Sequence, residues 1–346
     1  MRILGALAGG AHGGAETFYT RLMIALHESG IQTHAILRPF DARIEQFKEK
    51  NLPYTAATFG GLFDFQTKRI FKEQIKKIDP QIILTFMNRA TVKCPRSKND
   101  NFVQLARLGG YYNLKYYKKA DYLIALTHDI YDYIIQNGWP KEKVHYLPNF
   151  AVQVPGTLIN RQDLDTPDDV PLLVTLARLH DAKAIDVLLH AMTQVKDAYL
   201  WIAGEGPLRQ ELESLMNSLG LQNRVRFLGW RQDIPDLIAT SDMVVFPSRY
   251  EPHGTVVLEA WMHERPLIAA ASKGPAGLVN DGENGLLVPI NDADSLAKAI
   301  QKVLNSSELA ANLVIQGKET YSKHHSQKAV LSQYTEFFQK VVQKTS

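Results

Sequence analysis

The feature that most constrains the fold is an alternation of short apolar runs with amphipathic helical segments, which occurs twice along the chain. The first series opens with an apolar run at 2–8, a helical pattern at 15–29 and a second apolar run at 33–37. Strand, helix and strand in this order predict a parallel βαβ unit. Further strands are predicted at 81–86, 122–126 and 144–147.

Residues 151–170 interrupt this pattern with prolines and acids that have no periodicity, as is typical of a linker. The alternation then restarts, with strands predicted at 172–177, 199–203, 225–228, 243–246, 266–270 and 285–288. The sequence therefore predicts the α/β class, as two doubly wound, Rossmann-like parallel-sheet domains that face each other across a cleft. A chain of 346 residues is also too long for one hydrophobic core, since cores stop growing at about 250–300 residues.

We expect the first domain at 1–152, the second at 153–322, and a C-terminal helix within 323–346 that packs back on the first domain. Apolar runs long enough for a spanning helix, about 18–20 residues, are absent from the sequence. The glycine-broken N-terminus is more typical of a first strand than of a signal peptide. A single cysteine, Cys94, excludes internal disulfides and cysteine-built metal clusters. We expect a cytoplasmic protein.

The two halves of the chain differ in charge. Residues 1–150 hold 21 Lys and Arg against 13 Asp and Glu, whereas residues 151–346 hold 18 against 23. The basic first half predicts an anionic partner. Zinc-finger, RNA-recognition and basic-zipper patterns are absent, so no nucleic acid is expected, and an anionic membrane surface or a phosphorylated glycolipid fits better. A lysine-rich surface that is merely solvated remains the alternative.

The densest chemical motif follows the predicted strand at 243–246. It places Glu251 in a loop, Gly254 and Thr255 at the start of a helix, and Glu259 one turn further along. The N–H groups at a helix start favour phosphate or hydroxyl oxygens, and paired carboxylates suit sugar hydroxyls. The alternative, a loop acid and a surface acid, fits poorly with the apolar neighbours of Glu259.

Three further motifs follow predicted strands. Arg178 and Lys183 bracket the turn after 172–177, where two cations suit a diphosphate, although ordinary surface cations remain an alternative. A glycine turn at 204–206 allows close approach to the backbone. A glycine loop at 9–14 lacks the G-x-G-x-x-G spacing of dinucleotide sites, which disfavours a nicotinamide enzyme.

Together these motifs resemble the retaining glycosyltransferases of family 4, which have the GT-B fold. The resemblance covers nearly the whole chain. It rests on Glu251-x7-Glu259 with the central Gly254, on the Arg178 and Lys183 pair, on Gly204-Glu205-Gly206-Pro207, and on the stretch 281–288.

The resemblance implies retaining transfer of a sugar from a nucleotide diphosphate sugar, with neither a cofactor nor a metal and without a protein nucleophile. Arg178 and Lys183 would neutralise the departing diphosphate, and Glu251 would hold the donor sugar. The implied donor-binding residues are Gly13, Gly14, Gly204, Glu205, Gly206, Trp230, Arg231, His253, Gly254, Thr255 and Glu259. The Asp-x-Asp pairs at 163–165 and 292–294 lie in the linker and at a helix start, where acids cap, so neither predicts a metal site.

The first domain departs from the family pattern. Many members carry a histidine there, but the corresponding stretch 103–110 has none, and Arg107 is the candidate hydrogen-bond donor on the acceptor side. Ala184 stands where glycine is usual, and His253 stands where an aromatic residue is common. These last two substitutions are expected to be tolerated.

The acceptor is expected to be a glycan or a glycolipid, in lipopolysaccharide or cell-surface polysaccharide synthesis. Basic-aromatic segments at 59–77 and 111–119 suit the anionic inner face of the cytoplasmic membrane, and a core-packed loop beside solvated lysines is the alternative. Two other functions stay open at this point: a UDP-sugar 2-epimerase, and a non-catalytic nucleotide-sugar binding protein.

Overall fold

The computed structural model describes residues 1–11, 13–61, 63–96, 101–152 and 154–344. The chain forms two compact units, one comprising Met1–Phe150 with Gln327–Ser346 and the other comprising Ala151–Ser326. Each unit contains its own parallel sheet, so the predicted α/β class with two parallel-sheet domains is confirmed. The chain passes from one unit to the other after Phe150 and returns after Ser326.

The sheet of the first unit has seven parallel strands among the described residues, in the order β3-β2-β1-β4-β5-β6-β7. Their bounds are β1 Arg2–Leu7, β2 Gln32–Leu37, β3 Tyr54–Ala56, β4 Ile82–Phe86, β5 Val103–Leu108, β6 Tyr122–Ala125 and β7 Val144–Tyr146. The strand order reverses direction between β1 and β4. The loop that follows β1 therefore lies at a topological switch point, where ligands of open parallel sheets bind.

Helices cover this sheet. They are α1 Gly14–Glu28, α2 Asp41–Glu49, α3 Phe65–Ile78, α4 Met87–Lys93 and α5 His128–Gln136. Side-chain caps define two of the starts: Asp64 accepts from the Thr67 N–H at α3, and Thr127 accepts from the Ile130 N–H at α5. Short 3₁₀ turns at Leu114–Tyr116 and Lys141–Lys143 connect the later strands.

The last long helix of the chain, Gln327–Gln343, belongs to the first unit. Its buried face carries Val330, Tyr334, Phe337, Phe338 and Val341. We number it α13 in chain order. The Tyr334 ring lies 6.4 Å from the ring of Phe18 on α1, and the Phe337 ring lies 6.0 Å from that of Tyr122 on β6. Burial of this apolar face stabilises the return of the chain to the first unit.

The sheet of the second unit has six parallel strands among the described residues, in the order β10-β9-β8-β11-β12-β13. Their bounds are β8 Leu172–Leu176, β9 Tyr199–Ala203, β10 Val225–Gly229, β11 Met243–Phe246, β12 Leu267–Ala270 and β13 Leu286–Val288. The strand order here reverses direction between β8 and β11. The loops that follow these two strands are thus neighbours at the carboxyl edge, although about 70 residues separate them in the sequence.

Helices on both faces complete the second unit. They are α6 Ile185–Met192, α7 Arg209–Ser218, α8 Ile234–Thr240, α9 Thr255–Met262, α10 Lys273–Ala276, α11 Ala293–Leu304 and α12 Ser307–Thr320. A π-helical turn at Tyr321–His325 follows, and 3₁₀ turns lie at Arg161–Leu164 and Asp181–Lys183. Among the helices that the structure describes, none is long and apolar enough to cross a membrane.

Candidate active site

Two loops of the second unit meet where the strand order reverses. The loop after β8 carries Arg178 and Lys183, and the loop after β11 carries Glu251. A backbone hydrogen bond joins them, because the N–H of Tyr250 donates to the carbonyl of Ala182 over 3.1 Å. The parallel-sheet topology thus brings together the two loops that carry three of the residues that the sequence predicts to act on a donor.

Lys183 and Glu251 form an ion pair at this edge, with 2.6 Å between the lysine Nζ and the glutamate Oε2. The other carboxylate oxygen accepts the N–H groups of His253 and Gly254, over 3.1 and 3.3 Å. Burial acts to raise the pKa of Glu251, but the charge of Lys183 and these hydrogen bonds outweigh it, so the pKa is lowered from its usual value. The glutamate is therefore ionised and pre-oriented in the site.

These bonds change what the start of α9 offers to a ligand. The N–H groups of His253 and Gly254 already donate to Glu251, although the sequence predicts them to face the donor. Helix geometry leaves the N–H groups of the exposed Thr255 and of Val256 without acceptors inside the helix, whereas the N–H of Val257 donates to the carbonyl of Gly254 over 2.9 Å. Glu259 lies half-buried one turn further along α9.

Arg249 fixes the two loops against each other, a role that the sequence analysis missed. Its guanidinium makes a two-pronged contact with the Asp186 carboxylate, with 2.9 Å between Nη1 and Oδ1. The same Nη1 donates to the carbonyl of Asp181 over 2.8 Å. Asp181 and Asp186 flank Lys183 in the sequence, so Arg249 holds the lysine's segment against the segment that carries Glu251.

The glycine turn after β9 packs directly on the segment that carries Arg178. A Cβ atom at Gly204 would lie 1.9 Å from the carbonyl oxygen of Ala177, so only glycine fits there. The N–H of Leu179 donates to the carbonyl of Glu205 over 3.0 Å, which holds the two segments together. Gly206 is packed almost as closely, because a Cβ atom added there would lie 2.3 Å from the carbonyl oxygen of Leu179. Arg178 remains exposed beside this turn.

The remaining predicted donor residues of this unit lie near the edge strand β10. Trp230 is 76% exposed just after it. The Arg231 guanidinium pairs with Asp233, and the Glu205 carboxylate pairs with Arg209 over 2.6 Å. Both charged groups are thus already engaged within the unit, whereas the indole ring is open to solvent.

In the first unit, the glycine loop after β1 is built around a buried acid that the sequence analysis also missed. Glu16, on the first turn of α1, is 7% exposed and accepts the N–H of Gly10 over 2.9 Å. Gly13 has φ of 155°, and a Cβ there would lie 2.3 Å from the Glu16 Oε2, so both its conformation and its contact require glycine. Arg43 donates to the carbonyl of Gly10 over 2.9 Å.

This loop is therefore held from beneath by Glu16 and Arg43. Gly14, the first residue of α1, has open space around its Cα. His12, which the loop also contains, lies outside the described residues.

Arg107 is buried in the first unit, with 2% of its surface exposed. Its Nε donates to the Tyr334 hydroxyl over 3.1 Å, and a further N–H donates to the side chain of Asn149. The guanidinium also lies 4.4 Å from the centre of the Phe18 ring. These contacts tie α13 to β5, and the acceptor-side role of Arg107 stays a prediction.

Among the described residues, the Asp-x-Asp pairs at 163–165 and 292–294 are not joined by further metal-ligating side chains. Over residues 1–11, 13–61, 63–96, 101–152 and 154–344, no group of three or more His, Cys, Asp or Glu side chains is arranged to hold a metal ion. Asp292 instead caps α11, where it accepts the N–H of Ser295 over 2.8 Å.

Comparison with known families and proteins identifies relatives along the whole chain. The model of the family described as glycosyl transferases group 1 matches residues 157–320. The lipopolysaccharide core biosynthesis glycosyltransferase LpsE of Rhizobium meliloti is 31% identical over 335 residues, which cover 94% of this chain and 95% of LpsE. LpsD of the same organism, with the same description, is 31% identical over 342 residues and 97% of each chain.

Solved structures share the fold. HepE from Anabaena in complex with UDP superposes with a TM-score of 0.86 at 22% identity, over 98% of this chain and all of that one. A glycosyltransferase from Rickettsia africae superposes with a TM-score of 0.87 at 20% identity, over 100% of this chain and 99% of that one. HepE has also been solved with UDP-glucose. At these identities the likeness extends to the architecture of both units.

Proposed function

The chain belongs to the glycosyl transferases group 1 and has the GT-B fold, and we propose that it transfers a sugar, with retention of anomeric configuration, from a UDP-sugar to an acceptor glycan or glycolipid. Family membership makes it a glycosyltransferase acting on a nucleotide sugar, rather than an epimerase or a silent binding protein. The observation that carries the finer proposal is the Lys183–Glu251 pair at the switch point of the second sheet.

In this proposal the diphosphate of the donor binds beside Arg178 and Lys183. Negative charge develops on the diphosphate as it leaves, and fixed cations stabilise that charge most when it is largest. The Lys183 ammonium has three N–H groups, so it can donate to a phosphate oxygen while it keeps its bond to Glu251.

Glu251 is proposed to accept hydroxyl groups of the donor sugar. It is ionised, its position is fixed by the N–H groups of His253 and Gly254, and it neighbours the diphosphate-binding lysine. Glu259, one turn into α9, is proposed to accept the ribose hydroxyls, and the exposed ring of Trp230 to lie against the base.

The chemical step needs no protein nucleophile. The bond between the anomeric carbon and the phosphate oxygen breaks, and its electron pair stays on the diphosphate. The acceptor hydroxyl oxygen bonds to the same carbon from the same face, and its proton passes to the departing phosphate oxygen. Because Arg178 and Lys183 carry the charge, we propose that neither a metal nor a cofactor takes part, and turnover should persist in EDTA.

The donor base is proposed from the structural neighbour HepE, which was solved with UDP and with UDP-glucose. A panel of UDP-, GDP- and ADP-sugars in a thermal-shift assay tests this, since a ligand that binds only the native state raises the melting temperature. UDP-sugars should give the largest shift. A larger shift with GDP- or ADP-sugars would exclude the proposed base.

The acceptor is proposed from the relatives LpsE and LpsD, whose names place them in lipopolysaccharide core synthesis.

Retention of anomeric configuration is tested on the product glycan, because NMR reports the configuration of the new linkage directly. A product of inverted configuration would contradict the mechanism while it left the transferase assignment intact.

We further propose that the enzyme works in the cytoplasm, on the anionic inner face of the membrane. Phe63 and Phe65, at the start of the basic helix α3, are 87% and 68% exposed. The loop before them is anchored from within, because the Lys93 Nζ donates to the Gly61 carbonyl over 2.6 Å. Leu62, in the same loop, lies outside the described residues.

A fixed loop that presents aromatic rings beside cations suits the interface of an anionic bilayer. Co-sedimentation with vesicles of phosphatidylglycerol should weaken as salt is added, and a double change of Phe63 and Phe65 to Ser should reduce it. Binding that prefers neutral phosphatidylcholine, or no binding, would rule out this location.

A further inference from the structure

The first unit contains a cavity of about 550 Å³, and the residues that line it do not belong to the glycine loop at 9–14. One wall comes from the segment after β5, with Tyr111, Lys115 and Lys118. The other wall comes from the last turn of α5 and the residues after it, with Tyr133 and Trp139. The first of these walls belongs to the segment 111–119, for which the sequence predicts contact with an anionic membrane surface.

The aromatic wall is rigid. The rings of Tyr111 and Tyr133 meet edge to face, with 5.3 Å between their centres. The Tyr133 hydroxyl donates to the carbonyl of Tyr112 over 3.1 Å, and the Asn137 side-chain amide donates to the Tyr133 carbonyl over 2.8 Å. Because these contacts fix the rings before any ligand arrives, little conformational entropy would be lost on binding.

The rim of the cavity is cationic. Lys115 and Lys118 are both exposed, and neither forms an ion pair with any residue that the structure describes. The lining residues include no carboxylate. In the wall, within the described part of the chain, the indole N–H of Trp139 is buried and has no hydrogen-bond partner.

We propose that this cavity binds an anionic saccharide, namely a sugar ring that carries a phosphate or a carboxylate. The C–H face of the ring would lie on the aromatic wall, its hydroxyls would meet the Asn137 amide, and its anionic group would bind Lys115 and Lys118. The inference rests on the proposed function, because a glycan acceptor is where such a ring would come from. It adds a second recognition point for a charged unit of that acceptor.

The test measures binding of glucose 6-phosphate to the full chain by chemical-shift titration of the isotope-labelled protein, with glucose and inorganic phosphate as comparison probes. Glucose 6-phosphate should bind at least tenfold more tightly than either probe, since each supplies only half of the contacts. The double variant Lys115→Gln with Lys118→Gln should lose this advantage. The matched control Lys119→Gln with Lys141→Gln also removes two exposed charges, neither of which lines the cavity, and should leave binding unchanged.

A second variant, Tyr111→Leu, removes an aromatic face and keeps both lysines. It should weaken the binding of glucose 6-phosphate at least threefold and leave the binding of inorganic phosphate unchanged. Binding that survives the double lysine variant, or phosphate that binds as tightly as the sugar phosphate, would overturn the proposal. The proposal would also be overturned if phosphatidylglycerol vesicles bound only when both lysines were present and glucose 6-phosphate did not bind. The surface would then recognise lipid alone.

Failure of this site is distinguishable from failure of the proposed function. The predicted donor-binding residues include neither Lys115 nor Lys118, so the double lysine variant should preserve the thermal shift given by UDP-sugars. If the wild-type chain did not bind the saccharide but kept its UDP-sugar shift, the cavity would be excluded as a saccharide site and the proposed function would stand.

Discussion

Each unit wraps a glycine-containing loop around a glutamate at the carboxyl edge of its sheet, but the two glutamates differ in what else they touch. Glu16 lies inside α1, is 7% exposed and accepts the N–H of Gly10. Glu251 lies before α9, accepts the N–H groups of His253 and Gly254 with one oxygen, and pairs with Lys183 through the other.

The difference separates an acid that shapes a loop from the acid that we propose to bind a ligand. Near Glu16, the Arg43 guanidinium donates to backbone carbonyls, so both charges are used to hold the loop. Glu251 has a lysine partner that is 23% exposed, and a ligand can reach that pair. A carboxylate placed before the helix, beside a partly exposed cation, is therefore the more suitable of the two for binding a substrate.

The largest effect is expected at Glu251. Glu251→Gln keeps the shape but removes the charge that binds Lys183, and turnover should fall about 100-fold to 1,000-fold, as for other single groups that stabilise a transition state. Steady-state donor hydrolysis and transfer measure it, and circular dichroism should show an intact fold. Glu264→Gln, which removes a surface acid paired with Lys318, is the control and should leave turnover unchanged. Unchanged turnover in Glu251→Gln would remove this residue from the active site.

At Glu16 the main loss should be stability. Glu16→Gln weakens a buried, charge-assisted bond to Gly10, and the free energy of unfolding should fall by about 2 kcal/mol. Urea unfolding measures the loss, with Glu28→Gln on the exposed side of the same helix as the control. If instead stability is kept and turnover is lost as at Glu251, the distinction between the two acids is wrong.

Variants of Arg249 test whether the position of the loop after β11 matters as well as the charge of Glu251. Arg249→Met should lower kcat about tenfold, equivalent to about 1.4 kcal/mol, because Lys183 is then poorly placed against Glu251. Asp186→Asn should have a similar effect, and the double variant should add little, since the two side chains act as one contact. Fully additive losses would show that Arg249 acts independently of Asp186.

The smallest effect is a pH dependence. The folded pKa of Glu251 is lowered, so its contribution to stability is complete above the usual glutamate value of about 4.3 and is lost as pH falls through the folded value. The stability difference between wild type and Glu251→Gln should therefore be constant from pH 5 to 7 and shrink below about pH 4. A difference that grows on acidification would show that Glu251 is protonated in the folded protein.

Much of the fold follows from the apolar pattern, because a strand buried on both faces is a continuous apolar run. The pattern fails at β5, where Gln104 and Arg107 interrupt the run although both are fully or almost fully buried. It also misses β3, whose three residues are too short for a periodicity to show.

Some residues of the candidate site could likewise be predicted from the sequence, and others could not. Lys183 and Glu251 stand out because each follows a strand, and the order of parallel strands brings their loops together. Arg249 and Glu16 do not stand out, because their roles depend on partners that only the folded chain supplies. Asp186 is 63 residues from Arg249, and Glu16 lies in an ordinary first helical turn.

The position of α13 has a consequence for biosynthesis. Helix Gln327–Gln343 supplies Tyr334 and Phe338 to the interior of the first unit, yet the ribosome makes it after the entire second unit. Domains generally fold as they emerge. The first unit of the nascent polypeptide must therefore wait, with an apolar surface uncovered, until translation reaches the codons of this helix. Chaperones can bind that surface during the interval.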